Sequence, residues 1–164
     1  MALKRQHAVL PYVVVDGEVR VLMLTSRETK RWVIPKGWPK KKMTPYDLGA
    51  LEAYEEAGLK GQVYNQPVGN YHYVKILKDG SETLCRVDVY PMLVKSQLLK
   101  WPEKGQRKLI WMSPARASRL VQEQELGWIL KSFRPAELEG LPNGLADRIA
   151  QWFRRFLNQL TTVQ

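Results

Sequence analysis

A single cysteine, Cys85, excludes an internal disulfide and points to a reducing compartment. Its expected place is a buried position within a strand, where an unpaired thiol behaves as a small apolar group. No apolar run is long enough to span a bilayer, and the first residues, MALKRQHA, lack the apolar core of a signal peptide. Cytoplasm is the expected location. Internal repeats, low-complexity tracts and long blocks of like charge are missing too, which argues against a disordered nucleic-acid-binding arm.

What is present is enough for a core. With 164 residues and 45% hydrophobic content, one globular domain over residues 1–164 is expected. The formal net charge of +10 favours anionic partners: nucleic acid, polyphosphates or acidic membrane surfaces. Charge alone does not choose among them. Arg116, Arg119, Arg148, Arg154 and Arg155 read as surface charges that serve solubility.

The pattern along the chain predicts a mixed sheet with helices, an α/β fold. His7 to Val15 is a β-branched run, Asp16-Gly17 signals a hairpin, and Glu18 to Thr25 resumes the strand. Trp32 to Ile34 reads as a short strand ending at Pro35. Further strands are expected near Gln62 to Val68, Gly69 to Leu77, Thr83 to Val94 and Lys108 to Met112, with a helix from Pro114 to Gln122. Leu145 to Leu160 predicts an amphipathic helix, with Leu145, Ile149, Trp152, Phe153, Phe156 and Leu160 near one stripe. Packing onto the domain is its expected use, and a membrane-surface or dimer contact is the alternative. The oligomeric state stays open.

The most informative segment is GWPKKKMTPYDLGALEAYEEAGL, from Gly37 to Leu59. Thr44 suits an N-cap, Pro45 the first helical position and Asp47 the positive helix end, while Gly58 supplies a stop. The expected helix runs roughly from Pro45 to Ala57. Positions three and four apart share a helix face, so Glu52 stands beside both Glu55 and Glu56. These acids crowd the end where the helix dipole disfavours negative charge. A solvated face accounts for such a cluster equally well. A cation bound among hard oxygen ligands, Mg²⁺ or Mn²⁺, accounts for it better once the helix end is considered. The lysines just upstream suggest an anionic guest.

The same segment resembles the signature of the Nudix hydrolases: Gly, then Glu, Arg-Glu, and Glu-Glu-x-Gly with an aliphatic residue. Gly37, Glu52, Glu55, Glu56, Gly58 and Leu59 fall on it in register. Met43 stands where the family has its first Glu, and Leu51 where it has Arg. Family members pair those two side chains, so the double departure looks like an ion pair exchanged for an apolar contact. Met43 and Leu51 are expected to touch, Leu51 on the buried side of the helix. The resemblance implies a Nudix-type α/β/α sandwich with a mixed sheet. It also implies metal binding by Glu52, Glu56 and the Lys36 carbonyl, with a further acidic ligand from a later loop, for which Glu103 is the candidate. Glu55 is the implied general base, and Glu52 the alternative.

Basic residues gather near the motif: Lys36, Lys40, Lys41 and Lys42 on its entry loop, with Arg27 and Lys30 before the short strand. Lys4 and Arg5 lead the first strand, Lys75 lies on a hairpin strand, and Arg107-Lys108 opens a later one. Singly each is a solvated charge; convergence in the fold would make them ligands. The set resembles the diphosphoinositol polyphosphate phosphohydrolase branch, which also cleaves dinucleoside polyphosphates. Ser26-Arg27, Arg31-Trp32 and Arg107-Lys108 before Trp111 carry that likeness. Lys36-Gly37-Trp38-Pro39-Lys40 departs from the branch's glycine-rich loop, so lysine side chains there take the place of main-chain phosphate contacts.

These readings converge on a metal-dependent hydrolase of phosphoanhydride bonds. Its substrate would be a highly phosphorylated small molecule, bound by Arg5, Arg27, Lys36, Lys40, Lys41, Lys42, Lys75 and Arg107. Two alternatives remain: an RNA 5′-pyrophosphohydrolase, for which Trp38, Tyr73 and Trp101 could stack bases, and a catalytically silent Nudix-like binding module.

Overall fold

The computed structural model of the protein describes residues 2–136, 149 and 152–158. Its centre is a long parallel pair. Strand β1 (Leu3–Val15) lies beside β7 (Glu82–Gln97), with Leu3 opposite Leu84 and Tyr12 opposite Leu93. The other pairings between named strands are antiparallel. β1 turns into β2 (Glu18–Thr25) through Asp16 and Gly17, whose φ values of 52° and 72° are those of the expected tight hairpin. β2 is flanked by β3 (Trp32–Val33) and β8 (Leu109–Met112), whereas β5 (Leu59–Val63) and β6 (Gly69–Ile76) share the far edge of β7.

Alternation along β1 divides the core between the two faces of this mixed sheet. Ala8, Leu10, Tyr12 and Val14 pack with Ala117, Leu126, Leu130 and Phe133, from helices α2 (Pro114–Leu120) and α3 (Gln124–Ser132) and the residue after α3. Val9 and Val13 pack on the opposite side with Ala53 and Ala57 of helix α1 (Pro45–Ala57) and with Phe153. An α/β/α sandwich results, as expected. Cys85 is fully buried in β7, also as expected.

Several elements differ from the sequence reading, α3 among them, which it did not include. The strand expected at Gln62 to Val68 is β5, which starts at Leu59 because the left-handed Gly58 turns the chain directly into the sheet. Past Val63 the ladder stops short of Pro67, which has no N–H to give. The helix expected to reach Gln122 ends at Leu120; Val121 bridges Trp32, and α3 follows. A short strand was missed: β4 (Lys36–Gly37) pairs with His7 and Ala8. Of the C-terminal helix expected near 145–160, Ile149 and residues 152–158 are helical, and Ile149, Phe153 and Phe156 pack on the α1 face. Leu145 and Leu160 lie outside the described residues.

Candidate active site

Helix α1 forms where its capping residues direct. Thr44 Oγ1 accepts from the Asp47 amide at 3.2 Å, and Gly58 (φ 68°) closes the helix with its N–H on α1 carbonyls. A Cβ on Gly49 would strike Val9, so a glycine there lets α1 lie close on β1. That contact aims Glu52 and Glu56 at β4, where both are buried. Gly37 is required for the same reason: a Cβ on it would occupy the space of the Glu52 carboxylate.

The loop between β7 and β8 seals the end of α1. Leu98 N–H donates to Gly58 O at 2.8 Å, Gln97 Nε2 to Ala57 O at 2.9 Å, and Glu103 N–H to Glu55 O at 3.0 Å. The Trp101 ring covers Gly58. From this loop Arg107 enters the site, its side chain only 8% exposed. Its NH2 reaches Glu56 Oε1 at 3.3 Å and Glu103 Oε1 at 3.2 Å, while NH1 donates to Thr25 O at 3.2 Å. Glu103 is shared with Arg27, 3.3 Å away. A cation does stand among the acids at the helix end, and in this structure it is a guanidinium.

It does not offset the cost of burying the carboxylates. Burial pushes the Glu56 carboxyl up to about 7, although Arg107 and Lys36 oppose the shift; Glu52 and Glu103 add to it. Burial also raises Glu52, with Glu55 contributing. On the other side, burial lowers Lys36, against the pull of Glu56. The Lys36 Nζ lies 5.4 Å from the centroid of the Tyr73 ring, and the Tyr73 hydroxyl donates to Gln6 Oε1 at 2.6 Å.

The predicted residues therefore divide into groups. Glu52, Glu56, Lys36, Glu103, Arg107 and Arg27 are brought together. Glu55 is half-buried, and its Oε1 lies 4.0 Å from Lys40 Nζ. Lys41 and Lys42 are exposed, and Lys42 takes a left-handed turn at φ 64°. Lys75 bears on the site only through its repulsion of Lys36. Arg5 is not brought to the glutamates: it faces Asp88 at 3.8 Å. Met43 is 38% exposed, and Leu51, expected on the buried side of the helix, is only half-buried. Sequence reasoning missed Gln6 and offered Tyr73 only as a base-stacking residue, not as the neighbour of Lys36. Strand alternation was their only signal, and it says which face a residue takes, not what it meets.

The donor set suits a hard divalent cation at Glu52 and Glu56, whose carboxylate oxygens are buried. Glu103 fits less well, being held by two arginines. Among the described residues, no three His, Cys, Asp or Glu side chains form a ready-made metal-ligand set.

Comparison with known proteins fits this geometry. No family model matches the chain. Nudix hydrolase 16, mitochondrial, of Arabidopsis thaliana is 34% identical over 98 residues, covering 58% of this chain and 54% of that protein. Nudix hydrolase 17, mitochondrial, of the same plant is 32% identical over 109 residues, 66% of this chain and 58% of that one. The chain is similar to Nudix hydrolases in both sequence and fold. It spans a little over half the length of these two relatives. The Nudix fold is found as well in the solved Ap4A hydrolase of C. elegans (TM-score 0.56, 16% identity, 78% of this chain and 93% of that one). The E. coli dihydroneopterin triphosphate pyrophosphohydrolase gives a TM-score of 0.58 at 15% identity, over 81% and 97% of the two chains. Of the two departures from the signature, Met43 precedes α1 and is exposed and Leu51 on α1 is half-buried, whereas Glu52 and Glu56 are buried.

Proposed function

We propose that this chain is a metal-dependent pyrophosphohydrolase of highly phosphorylated small molecules, dinucleoside polyphosphates or diphosphoinositol polyphosphates. One observation carries the reading: two buried carboxylates, Glu52 and Glu56, share a site with the buried cations Lys36 and Arg107, and burial still holds both carboxyls above their ordinary range. Glu52 and Glu56 would hold Mg²⁺ or Mn²⁺, which when bound supplies Lewis-acid polarisation of a phosphoryl oxygen. Glu55, half-buried beside Lys40, accepts a proton from the attacking water. The oxygen of that water bonds to phosphorus as the bridging P–O bond breaks, and the leaving phosphate departs with the electron pair. Arg107, Arg27 and Lys36 offset the charge that builds on the phosphoryl oxygens. Lys40, Lys41 and Lys42 stand at the entry to meet further phosphates.

The names of the relatives and the Ap4A hydrolase among similar folds support this reading. Among the described residues no helix is long and apolar enough to cross a membrane; cytoplasm stays the proposed location, although the two plant relatives are named mitochondrial. The test is turnover by purified protein with Mg²⁺ against diadenosine polyphosphates, diphosphoinositols, nucleoside diphosphate sugars and 5′-triphosphate RNA. Turnover of the first two, abolished by Glu56→Gln, is the expected result. Preference for the RNA, or no turnover of any, overturns it.

A further inference from the structure

Strand β6 pairs with β7 along one side only. Helix α3 closes the first half of its other side: Ile129 lies against Gly69, and the Glu125 carboxylate accepts the His72 N–H at 2.7 Å. That bond fixes which residues face outward. The His72 N–H points away from β7, whereas the Leu77 N–H points into the hairpin and donates to Ser81 O at 2.8 Å. Alternation along the strand then turns the main-chain N–H and C=O of Val74 and Ile76 outward. None of these four groups meets a partner among the described residues. Val74 is 48% exposed and Ile76 68%.

The two faces beside this open edge differ in chemistry. On one, Val74, Leu84 and Leu3 form an aliphatic row across β6, β7 and β1, with Leu3 itself exposed. Glu82, opposite Ile76, is the acid on that face. On the other, Lys75 stands at the edge; its cross-strand neighbour is Thr83, not an acid, and Lys36 repels it. An edge of this kind, with unpaired main-chain groups and exposed aliphatic side chains, is a template for one more strand.

We propose that the edge from Val74 to Ile76 takes a short extended peptide as an added strand, one acidic residue opposite Lys75 and an aliphatic residue on each side of it. Main-chain bonds to Val74 and Ile76 hold such a peptide, and its period-two alternation sets the aliphatic residues beside Val74 and Ile76 and the acid on the Lys75 face. Charge selects this guest over a second copy of the chain. Two copies joined edge to edge by matching Val74 with Ile76 would set one Lys75 against the other, and like charges directly opposite destabilise a strand pair. Glu82 disfavours further acids on the aliphatic face, so a single acid fits better than a run of them. The added strand is short because Glu125 already holds the His72 N–H.

The experiment titrates the full chain into the fluorescein-labelled peptide STVEVTS, with anisotropy for affinity and amide hydrogen exchange by NMR for place. Parallel titrations use STVKVTS, which reverses the charge, and STPEPTS, which removes the N–H groups an added strand would bond. STVEVTS is expected to bind and to slow exchange at the Val74 and Ile76 amides. STVKVTS should bind about fivefold more weakly, and STPEPTS should not bind. Lys75→Glu should reverse the preference and take STVKVTS over STVEVTS, a result that loss of folding cannot give. Equal affinity for the three peptides, binding without protection at Val74 and Ile76, an unchanged preference in Lys75→Glu, or absence of binding overturns the proposal. So does a concentration-dependent dimer in sedimentation whose formation protects the same two amides without peptide, since it would assign the edge to a second copy.

Discussion

Glu52 lies against the bare backbone of Gly37, and no side chain larger than hydrogen fits between them. Gly37→Ala should therefore move the carboxylate and leave the sheet pairing intact. The obstructing atoms are the end of a flexible side chain, so stability should fall by only ~1 kcal/mol. Turnover should fall by about a hundredfold, as misplacement of a site group does. Paired kinetics and thermal melts check this, and an alanine variant of full activity would refute it.

Glu56 sets a pH dependence. Its carboxyl titrates near 7 in the folded chain, against an ordinary 4.5. The folded state keeps the extra proton between those values, so in EDTA the stability is highest below about 4.5 and falls as pH rises to 7. The loss should be at most ~3 kcal/mol. Melts of wild type and Glu56→Gln at pH 5 and pH 8 read it directly: the wild type should lose stability over that interval and the variant should not. Mg²⁺ should restore the wild type at pH 8.

Arg107 is the partner that makes Glu56 tolerable. Arg107→Met would leave Glu56 and Glu103 without their shared guanidinium. Destabilisation at pH 8 should reach ~3–5 kcal/mol, the cost of stranding a buried charge. At pH 5 Glu56 is already protonated, so the loss there should be smaller. Denaturant titrations at the two pH values test the difference; equal losses would mean that the ion pair is not the cause.

Met43→Glu should be close to neutral, within ~0.5 kcal/mol. The burial that would have made an unpaired carboxylate costly is missing, because Met43 is exposed and Leu51 only partly covered. Adding Leu51→Arg should consequently bring no large rescue. A destabilisation well above that bound, measured by urea denaturation, would revive the idea of an apolar pair.

Neutralising Lys40, Lys41 and Lys42 together should raise KM most for the most highly charged substrate and change kcat less. Diadenosine tetra-, penta- and hexaphosphate provide the series. A uniform change across it would show that these lysines do not read chain charge.

The sequence carried the local structure further than the site. Thr44, Pro45, Asp47 and Gly58 mark both ends of α1 because capping is a matter of neighbouring residues. Asp16-Gly17 does the same for its hairpin. β4 escaped notice because a two-residue strand has no periodicity; only its partners His7 and Ala8 define it. The glutamates were legible as a group, but their burial was not, nor was the insertion of Arg107 from 51 residues away. Arg5 and Lys36 looked alike as cations near the motif. Strand register sends one to Asp88 and encloses the other beside Tyr73.

The pairing of β1 with β7 also bears on how the chain reaches its native state. Leu3 finds Leu84, so the two central strands meet only after roughly eighty intervening residues have been made and arranged. β1 can close its hairpin with β2 early, yet its other edge stays open until β7 arrives. Folding should be slow for a chain of this length, with the β1–β2 hairpin forming ahead of the rate-limiting barrier and docking of β7 crossing it.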